Sequence, residues 1–380
     1  MPSDEEFIVT PWEVKGDVDY AKLVKEFGTD LIDSKLLARI KKYTGDLHYL
    51  LERGIYFSHR DMKFVFDEYD KGNPFFLYNG RGPSGHTHIG HLTQFIFTKW
   101  MQDKFKCPYY FQLTDDEKYL FKFELELEQT RHFAKENALD LIATGFDPKL
   151  TDIIIDSYHA RTIYPLAIHV AKRITFSTAK AIFGFTNSNN IGSIFFTSFQ
   201  AVPAFLHSVR VGHNVPCVIP LAIDQDAHFR AARDVLPKLG YYKPGILHSR
   251  FLQGLQKGGK MSASDPDSAL FTVDPPKVIR KKLQNAFTGG RGNAAEQRKL
   301  GGQPEICSIF ANYQLVFIPR QDKLAELEQR CRSGEMLCGE CKSICIELAT
   351  KFLTEHQDRR EKARDKLDDF LLNEDEFPIE

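Results

Sequence analysis

Two short runs carry most of the chemical information in this chain of 380 residues. The first, His88-Ile89-Gly90-His91, follows a glycine-rich stretch, Asn79-Gly80-Arg81-Gly82-Pro83-Ser84-Gly85. Imidazoles three residues apart share one face of a helical turn. Where such a turn opens a helix, unpaired backbone N–H groups and the positive end of the helix dipole suit a polyphosphate. Imidazole adds neutral or charged donors aimed at the same charge, and Gly90 lets a flat ring approach the backbone closely. The second run is Gly258-Gly259-Lys260-Met261-Ser262-Ala263-Ser264. Its paired glycines describe a mobile loop carrying one point charge, which can swing onto negative charge developing in a transition state. Taken singly, the runs also read blandly, as a helix start with incidental histidines and as a basic surface loop.

The elements that must position these residues follow from the surrounding pattern. Phe75-Phe76-Leu77-Tyr78 reads as a short apolar strand, residues 79–85 as a turn or loop, and a helix starts near His88 and continues through Phe95, Ile96 and Trp100. Pro108–Leu113, Ile153–Ile155 and Val215–Pro220 are further candidate strands, with a long helical pattern from Leu125 to Ile142. Strands alternating with helices predict an α/β fold, a Rossmann-like, doubly wound parallel sheet that binds ligands at the carboxyl ends of its strands. Before it, residues 1–73 form an extension: a strand-like piece, Ile8–Val14, then amphipathic helices in which Leu31, Leu36, Leu37, Ile40 and Tyr43 recur at near-helical spacing. After Ser268 the chain is helical and charged, apart from Gly289-Gly290 and Gly301-Gly302, and reads as a separate α-helical domain. The expected division is 1–73 for the extension, 74–264 for the catalytic domain, 265–361 for the helical domain and 362–380 for a C-terminal helix and tail.

Composition narrows the class. The hydrophobic content of 42% and charged content of 27% fit a globular chain. A net charge of -1 conceals a basic stretch: residues 241–300 hold eleven Lys or Arg against four Asp or Glu, densest at Lys277, Arg280, Lys281 and Lys282. That surplus fits either a solvated helix face or a phosphate-backbone surface. Seven cysteines, an odd number without a small-domain framework, indicate a reduced intracellular protein. Cys338 and Cys341 have C-x2-C spacing, but Glu335–Leu353 reads as one helix that places Cys338, Cys341 and Cys345 on a buried stripe as small hydrophobes. No metal ligand set is assigned. The acidic Met1–Glu6 start argues against a presequence, and no run approaches a membrane span.

Together, in this order and spacing, the two runs resemble the H-I-G-H and K-M-S-K-S motifs of the class I aminoacyl-tRNA synthetases. The first matches fully; the second has Ala263 where the pattern has its second lysine. Further residues resemble the eukaryotic cytosolic tryptophanyl branch: Val9–Val14, Tyr56–Met62, Gly80–Ser84, Thr114–Leu120, Ala222–Asp226 and the K-M-S-A-S form itself. The likeness runs from about residue 9 to about residue 370.

The resemblance implies a tryptophan–tRNA ligase that activates L-tryptophan with Mg-ATP and transfers it to the 3′ end of tRNA(Trp). It implies a cytoplasmic homodimer, with ATP and Mg2+ as substrate and no resident metal. Carried over by position, His88, His91, Lys260 and Ser262 are catalytic. Arg81, Gly90 and Met261 join them in holding ATP, with Gly90 under the adenine. Tyr78 and Gln112 accept the indole N–H, a donor-only group. Glu117, Gln200 and Gln225 receive the α-ammonium and carboxylate, and Gly80 and Gly82 let backbone approach the ligand. Asp116 and Lys118 are read as a charge pair without a role, Pro11 and Trp12 as a flap over the pocket, and Gly85-His86-Thr87 receives no role. The helical part carries the anticodon surface and the acidic tail returns to the catalytic domain. The competing readings are a tyrosine–tRNA ligase, a non-catalytic tryptophan or RNA binder, and another nucleotidyltransferase of the same superfamily.

Overall fold

A computed structural model of the chain describes residues 8–9, 14–15, 20–263 and 265–378. The expected flap residues Pro11 and Trp12, and Ser264 of the second motif, lie outside the described residues. The described strands are β1 (Ile8–Val9), β2 (Val14–Lys15), β3 (Asp30–Leu31), β4 (Tyr56–Arg60), β5 (Phe76–Arg81), β6 (Tyr109–Leu113), β7 (Thr151–Ile155), β8 (Cys217–Ala222) and β9 (Gly245–Ser249). The first two pair only with each other, antiparallel. The other seven form one sheet in the order β3-β4-β9-β8-β5-β6-β7.

From β9 to β7 the strands are parallel, so both faces must be covered, and the side chains alternate between two cores. Leu77, Phe111, Ile153, Val218 and Leu247 point into one core, which contains the helices Ile89–Phe105 and Leu127–Ala143 and the C-terminal helices. Tyr78, Tyr110, Ile154, Ile219 and Ile246 point into the other, beneath the helices Ala160–Ala171, Pro203–Val211 and Asp226–Val235. The expected parallel sheet with helices on both faces is thus present, followed by an α-helical C-terminal part.

Several local expectations change. The helix that buries Leu36 and Ile40 is Ser34–Thr44, capped by Asp33, and Leu31 belongs instead to the edge strand β3, where it is exposed. Residues 30–60, expected to be helical, supply two antiparallel strands, since β4 pairs with β9 and β3 with β4. The glycine stretch is not a loop throughout, because β5 continues to Arg81 in register with Leu113. Here Gly80 is required by packing: a Cβ would stand 2.7 Å from the Gln112 carbonyl oxygen on β6.

The helix carrying three cysteines runs Cys338–Ala363. Cys345 is fully buried while Cys338 and Cys341 are half-buried, so the expected buried stripe is only partly buried. Among the described residues, no group of His, Cys, Asp or Glu is arranged to hold a metal ion. In the basic run, Lys277, Arg280 and Lys281 are exposed on the helix Pro276–Asn285, but Lys282 turns inward to Asp274 at 2.7 Å. The long C-terminal helix packs on Leu127–Ala143 through Arg360, 2.8 Å from both Glu136 and Asp140, and His356, 3.0 Å from Asp140. Beyond it Leu371 bridges to Ile153 at the sheet edge.

One buried carboxylate joins the antiparallel margin to the parallel sheet. Asp226 accepts from Arg60 on β4 at 2.8 Å and from His248 Nε2 on β9 at 2.9 Å, at the start of the helix after β8. Burial alone would raise this carboxyl, but His248 and Arg60 outweigh it and hold it well below the usual range. Its contribution to stability is therefore present above the unfolded value near 4 and is lost as pH falls toward its folded value. Asp226→Ala leaves the half-buried Arg60 and the buried His248 without their carboxylate and is expected to cost about 3 kcal/mol, read as a lowered urea midpoint. An unchanged midpoint would refute the assignment.

Candidate active site

The site lies where the rule for open parallel sheets puts it, at the carboxyl ends of β5, β6, β8 and β9. His88 is the N-cap of the helix Ile89–Phe105 and His91 its third residue. They form a reciprocal capping box in which His88 Nδ1 accepts the Gly90 N–H at 3.1 Å and His91 Nδ1 accepts the His88 N–H at 3.3 Å. Each Nδ1 is therefore unprotonated, and each Nε2 carries the hydrogen. Burial, reinforced by the nearby Arg81 charge, pushes His88 down to about 3 and His91 well below its ordinary value. Of the neutral or charged donors expected, the structure selects the neutral ones. Gly90 is fixed by the same packing, for a Cβ there would lie 2.9 Å from the His88 ring and 3.1 Å from Met261 Sδ.

Arg81, at the end of β5, is buried, and its guanidinium donates to Thr87 Oγ1 at 2.6 Å and to the Gly85 and His86 carbonyls at 3.2 and 2.8 Å. Its hydrogen bonds are made to the connection that received no role, and they hold it in place before His88. Burial lowers Arg81 to about 10, which leaves it protonated at neutral pH. The same connection meets the segment after the second motif. Thr272 N donates to Thr87 O at 2.9 Å, Ile89 N donates to Leu270 O at 3.0 Å, and His88 bridges to Phe271. Main-chain pairing thus joins two motifs that stand far apart in the chain.

A cleft of about 320 Å³ opens between them, lined by Arg81, His88, Gly90, His91, Lys260 and Met261 among others. All six were expected there. Ser262 was also expected but does not line it; its backbone N–H and carbonyl are held by Ser268 Oγ, each at 3.0 Å. The loop expected to be mobile has a bridge between Gln253 and Lys260 at its base, and the Lys260 side chain is exposed.

A second recess of about 150 Å³ continues inward from the shared strand end Gly80-Arg81-Gly82. Tyr78, Gly80, Gly82, Gln112, Glu117, Gln200 and Gln225 all line it. At its floor the Tyr78 hydroxyl lies 2.6 Å from Gln112 Oε1 and 3.0 Å from the Gln200 carbonyl, and Gln112 Nε2 donates to both Asp156 oxygens at 2.9 and 3.0 Å. Burial would raise Glu117, but Lys118 at 2.7 Å and Thr114 at 2.7 Å keep it below the ordinary value and ionised. Gln200 Oε1 is buried without a partner. The expected Asp116–Lys118 pair does not form: Lys118 pairs with Glu117, and Asp116 hydrogen-bonds Asp156.

Sequence reasoning missed Thr114, Asp156, Asp224, Ser249 and Arg250. Ser249 is the last residue of its strand and the others stand one or two positions past a strand end, so the strand-end rule was the signal available, given correct strand boundaries. Of these, Asp224, Ser249 and Arg250 line the outer cleft and Thr114 the inner recess.

A Rossmann-like sheet with a phosphate-suited helix start, a lysine loop paired to it and an adjoining polar recess defines an adenylate-forming ligase site. The model of the class I tRNA synthetases for tryptophan and tyrosine matches residues 70–354, and the chain belongs to that family. It is 50% identical to a tryptophan–tRNA ligase of the archaeon Pyrobaculum aerophilum over 97% of this chain and 98% of that one. Two eukaryotic structures are similar throughout. The tryptophanyl-tRNA synthetase of Plasmodium falciparum has a TM-score of 0.88 and 36% identity, covering 94% and 98% of the chains. That of Encephalitozoon cuniculi, bound to tryptophan, has 0.86 and 35%, covering 95% and 99%. The likeness read from the motifs as eukaryotic therefore extends to archaeal relatives.

The histidine geometry makes a direct prediction. Because their folded values are depressed, His88 and His91 remain neutral through the range where free histidine titrates, and protonation in acid works against the fold. Imidazole 15N spectra of the intact protein should show both as Nε2–H tautomers from pH 8 to pH 5. A titration of either near 6.5 would contradict the capping geometry.

Proposed function

We propose that this chain is a tryptophan–tRNA ligase, and the buried acceptor pair Tyr78–Gln112 beside the histidine–lysine cleft is the observation that carries the reading. A carboxylate oxygen of tryptophan attacks the α-phosphorus of ATP, the bond to the bridging oxygen breaks, and pyrophosphate leaves. A hydroxyl of the 3′-terminal ribose of tRNA(Trp) then attacks the activated carbonyl and AMP departs. No nucleophile from the protein is needed, so catalysis is positioning and charge stabilisation.

In this reading His88 and His91 give neutral Nε2–H donors to ATP, whose adenine lies along Gly90 and Met261, and Lys260 meets the charge of the departing pyrophosphate. Ser262 joins once the loop closes on ATP. Arg81 acts as a fixed buried cation behind the phosphates. Mg2+ enters with ATP as part of the substrate. Tyr78 and Gln112 take the indole N–H, a requirement that rejects rings lacking a donor there. Glu117, Gln200 with its unpaired oxygen, and Gln225 receive the ammonium and carboxylate, while Gly80 and Gly82 leave room for the ligand.

Residues 74–264 then form the catalytic unit behind the 1–73 extension, and 265–361 form the anticodon-reading unit, with Lys277, Arg280 and Lys281 on the RNA side. Residues 362–380 return to the sheet, a placement supported by the Leu371–Ile153 bridge. The chain works as a homodimer in the cytoplasm; among the described residues no helix is long and apolar enough to cross a membrane. The tyrosine reading fits the recess less well, because Asp156, the carboxylate that bonds Gln112, does not line the recess.

Tryptophan-dependent ATP–pyrophosphate exchange tests this reading, and preferential exchange with tyrosine would overturn it. Lys260→Ala should lower the exchange rate by about 10²-fold or more with tryptophan affinity little changed, because the contact strengthens in the transition state. Weakened tryptophan binding at an unchanged rate would contradict the role given to Lys260.

A further inference from the structure

The recess floor raises a question of orientation. A glutamine side chain presents an oxygen on one side and an NH2 on the other, and only the oxygen accepts an indole N–H. Gln112 is 1% exposed, so its orientation is set by the groups that bond it. Both Asp156 oxygens stand at hydrogen-bond distance from Nε2, and the Tyr78 hydroxyl stands 2.6 Å from Oε1.

Asp156 is itself 1% exposed, the first residue after β7, and it hydrogen-bonds Asp116. Two carboxyls in contact, one buried and one half-buried, cannot both ionise cheaply, and sharing one proton leaves the pair a single negative charge. Burial and mutual repulsion raise both groups above the usual carboxylate range. Asp116 Oδ1 in turn accepts the Glu117 backbone N–H at 2.8 Å. The pair therefore touches the main chain of one recess residue and the amide of another, while Asp156 itself stays outside the recess.

We propose that Asp156, braced by Asp116, is a positioning residue for amino-acid specificity: it holds the Gln112 amide with Oε1 toward the recess as an acceptor. This rests on the tryptophan reading above and goes beyond it, since it places the determinant of N–H recognition one layer behind the residues that touch the ligand. Without an acceptor at position 156 the amide is free to turn. Its NH2 would then confront the indole N–H, donor against donor.

The experiment compares two substrates in ATP–pyrophosphate exchange with the full-length protein. One is L-tryptophan and the other is its benzothienyl isostere, with sulfur in place of the indole N–H. In Asp156→Ala, the KM for tryptophan should rise about tenfold, while that for the isostere changes less than about twofold and kcat holds in both. Asp156→Asn keeps one acceptor oxygen, and its ratio of the two KM values should rise by about threefold. Equal weakening of both substrates would show that Asp156 only supports the fold, and would overturn the proposal, as would an unchanged tryptophan KM. Should the alanine variant fail to fold, an unchanged ratio in Asp156→Asn overturns it equally. A wild-type chain without tryptophan-dependent exchange would refute the tryptophan reading itself, whereas an active wild type with an unmoved ratio refutes this inference alone.

Discussion

A protonated guanidinium buried under the carboxyl end of the sheet organises this site. Arg81 holds the connection Gly85–Thr87 by three hydrogen bonds, and that connection sets the angle at which the helix of His88 and His91 begins. A buried charge is costly to leave unpaired, and although Arg81 Nε has no partner among the described residues, its two terminal nitrogens find theirs on this loop and hold it in place. The same charge acts on the histidines, adding to burial in keeping both neutral. A positive potential and two neutral donors thus stand on one wall of the cleft, which attracts a polyphosphate without a histidine that titrates at working pH.

The second constraint is main-chain pairing between segments remote in sequence. Residues 270–272 bond to residues 87–89, so the segment that follows the lysine loop is anchored beside the histidines, while the Lys260 side chain is exposed. Gly90 sits at this junction between the His88 ring and Met261. The inner recess shares the strand end Gly80–Gly82 with the outer cleft. In the proposed reading a ligand in the recess thereby lies against the nucleotide, the proximity that attack of its carboxylate on the α-phosphorus needs.

Much of this was legible in the sequence, and the reasons are local. The strands β5 to β8 carry apolar runs bounded by turn residues, and the histidine helix announces itself by its glycine-rich approach. Every residue assigned to the recess lines it, as do all those assigned to the cleft except Ser262, whose backbone is held by Ser268. What stayed hidden depends on partners distant in the chain. Tyr56–Arg60 and Gly245–Ser249 contain an arginine and a histidine, Arg60 and His248, that look unsuited to a sheet until Asp226 pairs with both. Gly80 and Arg81 read as loop because their types suit turns, whereas β6 packs against the first and Thr87 bonds the second. The Asp116–Asp156 contact was invisible for the same reason: nothing local distinguishes it from a pair of solvated carboxylates, and the adjacent lysine suggested a different partner.

In the proposed reading this cleft and recess together place tryptophan on tRNA. It is tested most directly by offering the intact protein total tRNA, ATP and an equimolar mixture of amino acids, then identifying by mass spectrometry the residue esterified to the 3′ end. Tryptophan on a single tRNA species is the expected result. Tyrosine in its place, or adenylate formed with no ester on any tRNA, would contradict it.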